Sequence, residues 1–428
     1  MRLLYDLLWW LVLPLLPLRL WWRGRREPGY RMSVGERFGF YDGAAIARGA
    51  VWIHAVSLGE TRAMAPLIER LQRELPTRPI LLTHMTATGR EAGAALFGDR
   101  VMQAWLPYDV PFAVKRFFAH FEPHAGLLVE TELWPNLTDA AARSGVPLLL
   151  INARLSERSA RGYRRIASVA RRLLQTLAGV AAQSDADAQR LRDLGARDVV
   201  VTGNLKFDVD ATPAQRQRGA ALREWLGGSR AVLMLASTRD GEEALLLDAL
   251  ARAEALPPTT LVVIVPRHPQ RFDAVAALLC ERNIRHVRRS ADVAVDAATR
   301  VVLGDSVGEM FAYYTASDVA FVGGSLLPLG GQNLIEPIAV GVPTLIGPHM
   351  FNFTAASDAA IAAGAALQVR DADQLFAVAA GLLGDEVERE RMRAAALEFI
   401  AAHRGAIDRL WRWLEPRLAT SVTRAGAD

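Results

Sequence analysis

Residues 51–75 read VWIHAVSLGETRAMAPLIERLQREL, and the change of rhythm inside that stretch decides the fold. Val51–Val56 (VWIHAV) is a short apolar run, as a strand buried in a parallel sheet requires. After it, Met64, Leu67, Ile68, Leu71 and Leu75 recur at helical spacing, so Thr61–Leu75 is expected to be an amphipathic helix. The same alternation continues outward. Strands are expected at Ile80–Thr83, Gly126–Val129, Pro147–Ile151, Gly179–Ala182 and Val199–Thr202, most of them separated by helical patterns. That is βαβ patterning, and it predicts a parallel sheet covered on both faces.

Asp208–Ser229 (DVDATPAQRQRGAALREWLGGS) is polar, turn-rich and free of strand signals, which places a domain boundary there. A second series follows, with strands expected at Ala231–Ala236, Leu261–Val265, Val301–Gly304, Val319–Val322, Pro343–Ile346 and Ala366–Val369. Helices are expected between them, notably Gly241–Ala253 and Gln270–Cys280, and at the end of the chain over Glu386–Ala402 and Ala406–Leu418. The expected fold is therefore α/β, two doubly wound Rossmann-like domains facing each other across a cleft. A chain of 428 residues exceeds one ordinary core, which agrees with two domains. In such sheets ligands sit beyond the carboxyl ends of the strands, so the loops after each strand carry the functional signal.

Composition excludes several classes. The 51% hydrophobic content rules out a largely disordered chain, and Cys280 stands alone, so no disulfide framework or thiolate zinc site exists. The net charge of +4 comes from 50 basic and 46 acidic residues, and only Lys115 and Lys206 are lysines. Arginine spread along the whole chain reads as a compositional bias, not a nucleic-acid surface. A lysine kept in such a chain points to a need for a compact ammonium.

Leu3–Trp22 (LLYDLLWWLVLPLLPLRLWW) is a membrane element. Its uncharged core, Leu7–Leu18, has 12 residues, shorter than the roughly 20 of a comfortable span. Trp9, Trp10, Trp21 and Trp22 sit near both ends as interfacial anchors do, and Arg23, Arg25, Arg26 and Arg31 follow at once. No small-residue cleavage site marks it as a cleaved signal. A spanning anchor, a helix lying in the interface and a core helix all satisfy this pattern.

The post-strand loops hold the candidate site. Ser57-Leu58-Gly59-Glu60 follows the first strand: Gly59 permits a tight turn, and Glu60 falls at a helix start, where it faces the cleft or complements the helix dipole. Glu130 and Glu132, in ETELWPN, also follow a strand; one suits a sugar hydroxyl, or both are solvated or satisfy Arg154 nearby. Lys206, in GNLKFD, suits a phosphate or carboxylate, or an ion pair with Asp208 or Asp210. In the second half, Pro266 and Arg267 open PRHPQRF, and arginine forms bidentate phosphate contacts. Val307, Gly308 and Glu309 stand where a helix start offers N–H groups to an anion. Asn333, Leu334, Ile335 and Glu336 end GGQNLIE, whose glycines allow close backbone approach, and Asn333 and Glu336 suit ribose hydroxyls. There is no GxGxxG after the first strand, no GxxxxGK[ST] and no HExxH, so dehydrogenase, P-loop and zincin readings lose their motifs, and no metal site is expected.

Taken in order, GERFG (35–39), VSLGE (56–60), ETELWPN (130–136), NARLSERS (152–159), GNLKFD (203–208), PRHPQRF (266–272), GDSVGEM (304–310), FVGGS (321–325), GGQNLIE (330–336) and GPHMFNF (347–353) resemble the bacterial 3-deoxy-D-manno-octulosonic acid (Kdo) transferases. The resemblance runs from the membrane element to about residue 400. It implies an inverting, metal-independent glycosyltransferase of GT-B architecture with no cofactor. CMP-Kdo would be the donor and the tetraacylated lipid A precursor (lipid IVA) the acceptor, on the cytoplasmic side of the inner membrane. The family's base matches Glu60, and its CMP-binding positions match Pro266, Arg267, Val307, Gly308, Glu309, Asn333, Leu334, Ile335 and Glu336. Ser57, Gly59, Glu130, Glu132 and Lys206 would support them. The corresponding organisation is an anchor or interfacial helix at 1–30, an acceptor-binding domain at 31–210, a CMP-sugar domain at 211–400, and a helix and tail at 401–428. A UDP-sugar transferase or epimerase and a non-catalytic membrane scaffold are the rival readings; CMP-against-UDP competition and Glu60→Ala discriminate them.

Overall fold

A computed structural model describes residues 2–25, 27–42, 48–291 and 293–419. Arg26 and the tail 420–428 lie outside the described residues. The chain forms two compact units, Met1–Asp208 with Gly405–Asp428, and Val209–Arg404.

In the first unit the strands are β1 (Val51–His54), β2 (Ile80–His84), β3 (Met102–Trp105), β4 (Ala125–Val129), β5 (Leu148–Ala153), β6 (Gly179–Ala182) and β7 (Val199–Val201). They pair in parallel in the order β3-β2-β1-β4-β5-β6-β7. Successive side chains of β1 leave opposite faces of the sheet. Trp52 packs with Phe117 and Phe118 on one side, while Val51 and Ile53 meet Met64, Leu67 and Ile68 on the other. The helix after β1, Leu58–Glu74, buries the apolar stripe that the spacing predicts.

The second unit repeats the plan with β8 (Val232–Thr238), β9 (Leu261–Pro266), β10 (His286–Arg288), β11 (Val301–Leu303), β12 (Val319–Val322), β13 (Thr344–Ile346) and β14 (Ala366–Gln368). Its parallel order is β10-β11-β9-β8-β12-β13-β14. The strand order reverses between β1 and β4 in one unit and between β8 and β12 in the other. Those two switch points are where a doubly wound sheet binds its ligand.

Two strands escaped the sequence reading, β3 and β10, and both are edges of their sheets. Polar residues interrupt both, Gln103 in β3 (MQAW) and His286 and Arg288 in β10 (HVR), so neither carries a continuous apolar run; all three residues of β10 are half-buried. The polar boundary segment 208–229 contains no strand but does hold a helix, Pro213–Trp225, started by a Thr212/Gln215 capping box. The final helix, Ala406–Ala419, returns to the first unit, where Leu410, Trp411, Trp413, Leu414 and Leu418 join the cluster of Met64 and Leu67. Asp208 caps that return by accepting the N–H groups of Gly405, at 2.6 Å, and Ile407.

Near the N-terminus, the chain is helical over Arg2–Val12 and Leu16–Arg23, joined by a 3-10 turn at Leu13–Leu15, where Pro14 and then Pro17 have no backbone N–H to continue the helical ladder. Leu4–Arg23 is long and apolar enough to cross a membrane. One face is docked on the first unit: Leu16 and Leu20 are buried with Tyr30, Trp105 and Tyr108, and Trp9 lies against Tyr108. The Tyr5 hydroxyl donates to Asp109 Oδ2 at 2.9 Å, and Asn136 Nδ2 donates to Asp6 Oδ1 at 2.8 Å. The opposite face, with Leu7, Leu11, Leu15, Leu18 and Trp22, is exposed.

Candidate functional site

The loop after β1 is built around Glu60. Ser57 caps the helix Leu58–Glu74, accepting the Glu60 N–H through its Oγ, and its own hydroxyl donates to Glu60 Oε1 at 2.8 Å. Glu60 Oε2 accepts the Val56 N–H at 2.8 Å, so the carboxylate reaches back over the helix start. The Val56 carbonyl accepts from the Thr86 N–H at 3.1 Å and its hydroxyl at 2.9 Å, which locks this loop to the next one. Glu60 is thus a reciprocal cap, as its helix-start position suggested. It is also more than that. Burial, with the charges of Glu130 and then Glu132, lifts its pKa from 4.5 to about 7 against the pull of Val56 and Ser57. A carboxyl that titrates near neutrality can take a proton in a reaction.

Gly59 does not make a turn. It lies inside the helix without a positive φ, and an added Cβ would meet only Ser57 Oγ, 4.0 Å away.

Glu130 follows β4 across the switch point and has a left-handed backbone, φ 63°. Such strain in a non-glycine residue clusters at functional sites. Lys206 Nζ donates to Glu130 Oε1 at 3.0 Å, so this lysine belongs to the Glu60 neighbourhood. Neither aspartate competes for it: Asp208 caps the return helix, and Asp210 pairs with Arg216 and Arg404. The Trp134 indole N–H donates to Glu132 at 2.8 Å, and burial raises the Glu132 pKa. Ser57, Glu60, Glu130, Glu132 and Lys206 therefore form one cluster at the carboxyl edge of the first sheet. Asn152, in β5, was missed as a candidate; it is buried with φ 49°, and its Oδ1 holds the Leu205 N–H at 3.1 Å beside Lys206.

The second unit brings its candidate loops to the same edge of its own sheet. Pro266 ends β9, the Arg267 N–H donates to the Thr238 carbonyl at 2.9 Å, and Arg267 Nε donates to Gln332 Oε1 at 3.1 Å. Arg239, at the end of β8, is a second cation that the sequence reading passed over. Burial, together with the charges of Arg239 and Arg267, lowers the His268 pKa, so the two guanidinium groups act on one spot. Val307 is 77% exposed and Gly308 has φ 84°, while Glu309 accepts from Ser306 Oγ at 2.6 Å. The helix after them, Met310–Thr315, has six residues, too few for a strong N-terminal dipole. Asn333 accepts the Ile335 N–H at 3.0 Å and donates to Glu336 Oε1 at 3.1 Å. Leu334 and Ile335 are buried, so only their backbone can meet a ligand. Gly330 and Gly331 have positive φ, and a Cβ on them would overlap Asn352 and Met350. Among the described residues, no three His, Cys, Asp or Glu side chains are grouped to hold a metal ion.

Two parallel α/β units, each with its loops gathered at a switch point, have the architecture called GT-B. The structure matches a glycosyltransferase from Rickettsia africae at TM-score 0.54 and 14% identity, over 88% of this chain and 100% of that one. It matches UDP-GlcNAc 2-epimerase from Neisseria meningitidis at TM-score 0.55 and 16% identity, over 86% and 100%. Likeness at that identity concerns the fold alone. Sequence is more specific: residues 32–209 match the family described as 3-Deoxy-D-manno-octulosonic-acid transferase (kdotransferase). The chain is 46% identical to 3-deoxy-D-manno-octulosonic acid transferase of Bordetella pertussis over 419 residues, 94% of this chain and 96% of that one. It is 37% identical to the Haemophilus influenzae protein of the same name over 401 residues, 93% and 94%. The chain belongs to the Kdo transferase family.

Proposed function

We propose that this protein transfers Kdo from CMP-Kdo to the lipid A precursor lipid IVA, with inversion, at the cytoplasmic side of the inner membrane. The observation that carries the reading is the Glu60 carboxyl, held between Val56 and Ser57 and poised at about 7 in a Kdo transferase. An acceptor hydroxyl is a poor nucleophile until its proton has somewhere to go. In this reading its oxygen attacks the anomeric carbon of Kdo, its proton passes to Glu60, and the bond to phosphate breaks with the electron pair leaving on CMP. Attack opposite the departing phosphate inverts the centre. Arg267, with Arg239 close by, stabilises the charge that grows on the phosphate, and Asn333 and Glu336 hold ribose hydroxyls. CMP-Kdo is a co-substrate, and no cofactor or nucleic acid takes part.

The N-terminal helix lies along the membrane surface. Its inner face is already docked on the first unit through Leu16, Leu20 and Tyr5, while the exposed leucines and tryptophans face acyl chains. Arg23, Arg25 and Arg31 then meet anionic headgroups.

Lys206 acts through Glu130 in this scheme. Lys206→Met would leave the Glu130 charge uncompensated beside Glu60, raising the Glu60 pKa further. A base must be deprotonated to work, so the acid limb of the pH–rate profile is expected to move to higher pH by up to about one unit. A limb that stays in place, with a weakened donor KM, would instead put Lys206 on the substrate.

The direct test is mass spectrometry of lipid IVA incubated with purified protein and freshly generated CMP-Kdo, with Glu60→Ala in parallel. Whole Kdo units added by the wild type and lost in the variant are the expected result. No addition with CMP-Kdo would move the donor to another nucleotide sugar. Addition that survives in Glu60→Ala would remove Glu60 as the base.

A further inference from the structure

Two consecutive glutamates, Glu242 and Glu243, open the helix Glu242–Arg252, and both are fully buried. A buried carboxylate is costly unless it is hydrogen-bonded on every side. Glu242 meets that demand with main-chain N–H groups. Its Oε2 accepts from Arg239 at 3.0 Å and Gly324 at 2.5 Å, and its Oε1 accepts from Leu326 at 3.0 Å. A residue that merely favoured its own helix dipole would have no reason to hold N–H groups more than eighty residues away in the chain. Glu243 faces the other side, accepting from Thr238 Oγ1 at 3.2 Å and pairing with Arg271 at 3.3 Å. Together the pair ties the loops after β9 and β12 to the end of β8.

The bonds continue from there to a donor-site residue. Gly324, held by Glu242, offers its carbonyl to the Gly331 N–H at 2.7 Å, and Gly323 offers its own to the Gln332 N–H at 3.0 Å. Gln332 in turn accepts from Arg267 Nε at 3.1 Å. One buried carboxylate thus stands at the head of a chain that ends at the arginine assigned to the phosphate.

We infer that Glu242 is a positioning residue of the donor site: it shapes the loop Gly323–Leu326 before the nucleotide sugar arrives and, through Gln332, aims Arg267. By occupying the N–H groups of Gly324 and Leu326, it also withholds them from the donor's phosphate, which is left to the arginines. Donors fixed in advance cost no reorganisation when the ligand binds. The inference rests on the CMP-Kdo reading above for the identity of the ligand, not for the state of the loop.

Glu242→Gln is the test, because its amide must turn an NH2 toward an N–H. The Kd for CMP by calorimetry and the KM for CMP-Kdo are expected to rise about tenfold or more, with the KM for lipid IVA unchanged. A variant that was only less folded would lose apparent kcat and keep both constants, and that result overturns the proposal. Hydrogen exchange gives a second, independent arm on the wild-type protein without ligand. There the amides of Gly324 and Leu326 are expected to be protected like those of β12, and exchange at the rate of an open loop overturns the proposal even if Glu242→Gln does not fold. A wild type that neither binds CMP nor uses CMP-Kdo would sink the functional reading instead, while the exchange result still decides whether Glu242 pre-forms the loop.

Discussion

Glu60→Gln is expected to stop transfer while making the folded protein more stable at alkaline pH. With Glu60 as the proposed base, its loss lowers kcat by about 10²–10⁴-fold. The gain in stability follows from the sign of the pKa shift. Glu60 titrates at about 7 in the fold against 4.5 for an ordinary glutamate. Below pH 4.5 both the folded and unfolded chains hold the proton, and there is no effect. Between 4.5 and 7 only the folded chain keeps it, so stability falls as pH rises. Above 7 the whole penalty is present, at most about 3 kcal/mol from a shift of that size. The amide removes it, and one amide can still accept from Val56 and donate to Ser57. Thermal midpoints at pH 8 should therefore rise by several degrees, with the gain vanishing near pH 4.5. Wild-type transfer by the variant would discard the base; an unchanged midpoint at pH 8 would discard the raised carboxyl.

Arg267→Ala is expected to lower kcat/KM by about 10²–10³-fold, with the KM for CMP-Kdo rising and that for lipid IVA constant. On the proposed reading two functions are lost together, a cation at the phosphate and the bond to Gln332 that fixes it. Arg267→Lys restores charge but has no Nε–H for Gln332, so it should recover only part of the rate. A variant whose acceptor KM moves while its donor KM does not would place Arg267 elsewhere in the reaction.

Much of this architecture was legible in the chain because buried parallel strands write themselves as apolar runs. Val51–His54 and the helix stripe Met64, Leu67, Ile68 and Leu71 lie where the spacing put them. The edges β3 and β10 were illegible for the converse reason: Gln103, His286 and Arg288 break up what would be an apolar run. Motif residues were legible as a set, yet their partners were not. Lys206 and Glu130 are 76 positions apart, and nothing in either local stretch announces an ion pair. Gly59 looked like a turn because glycine is common there; only the backbone shows that it sits in a helix. Arg239 and Glu242 were overlooked because one falls between an expected strand and helix and the other reads as an ordinary helix-start glutamate; their meaning lies in a loop far along the chain.

The return of Ala406–Ala419 to the first unit has a consequence for how the protein is made and dissected. Val209–Arg404 is one uninterrupted piece of chain, but the unit that holds Glu60 is not. Its core keeps an empty seat beside Met64 and Leu67 until Trp411, Leu414 and Leu418 have been synthesised. On the ribosome the second unit can therefore be complete before the first, inverting the order in which domains usually mature. Cutting the chain at the polar boundary near residue 208 would part the first unit from the helix that closes its core.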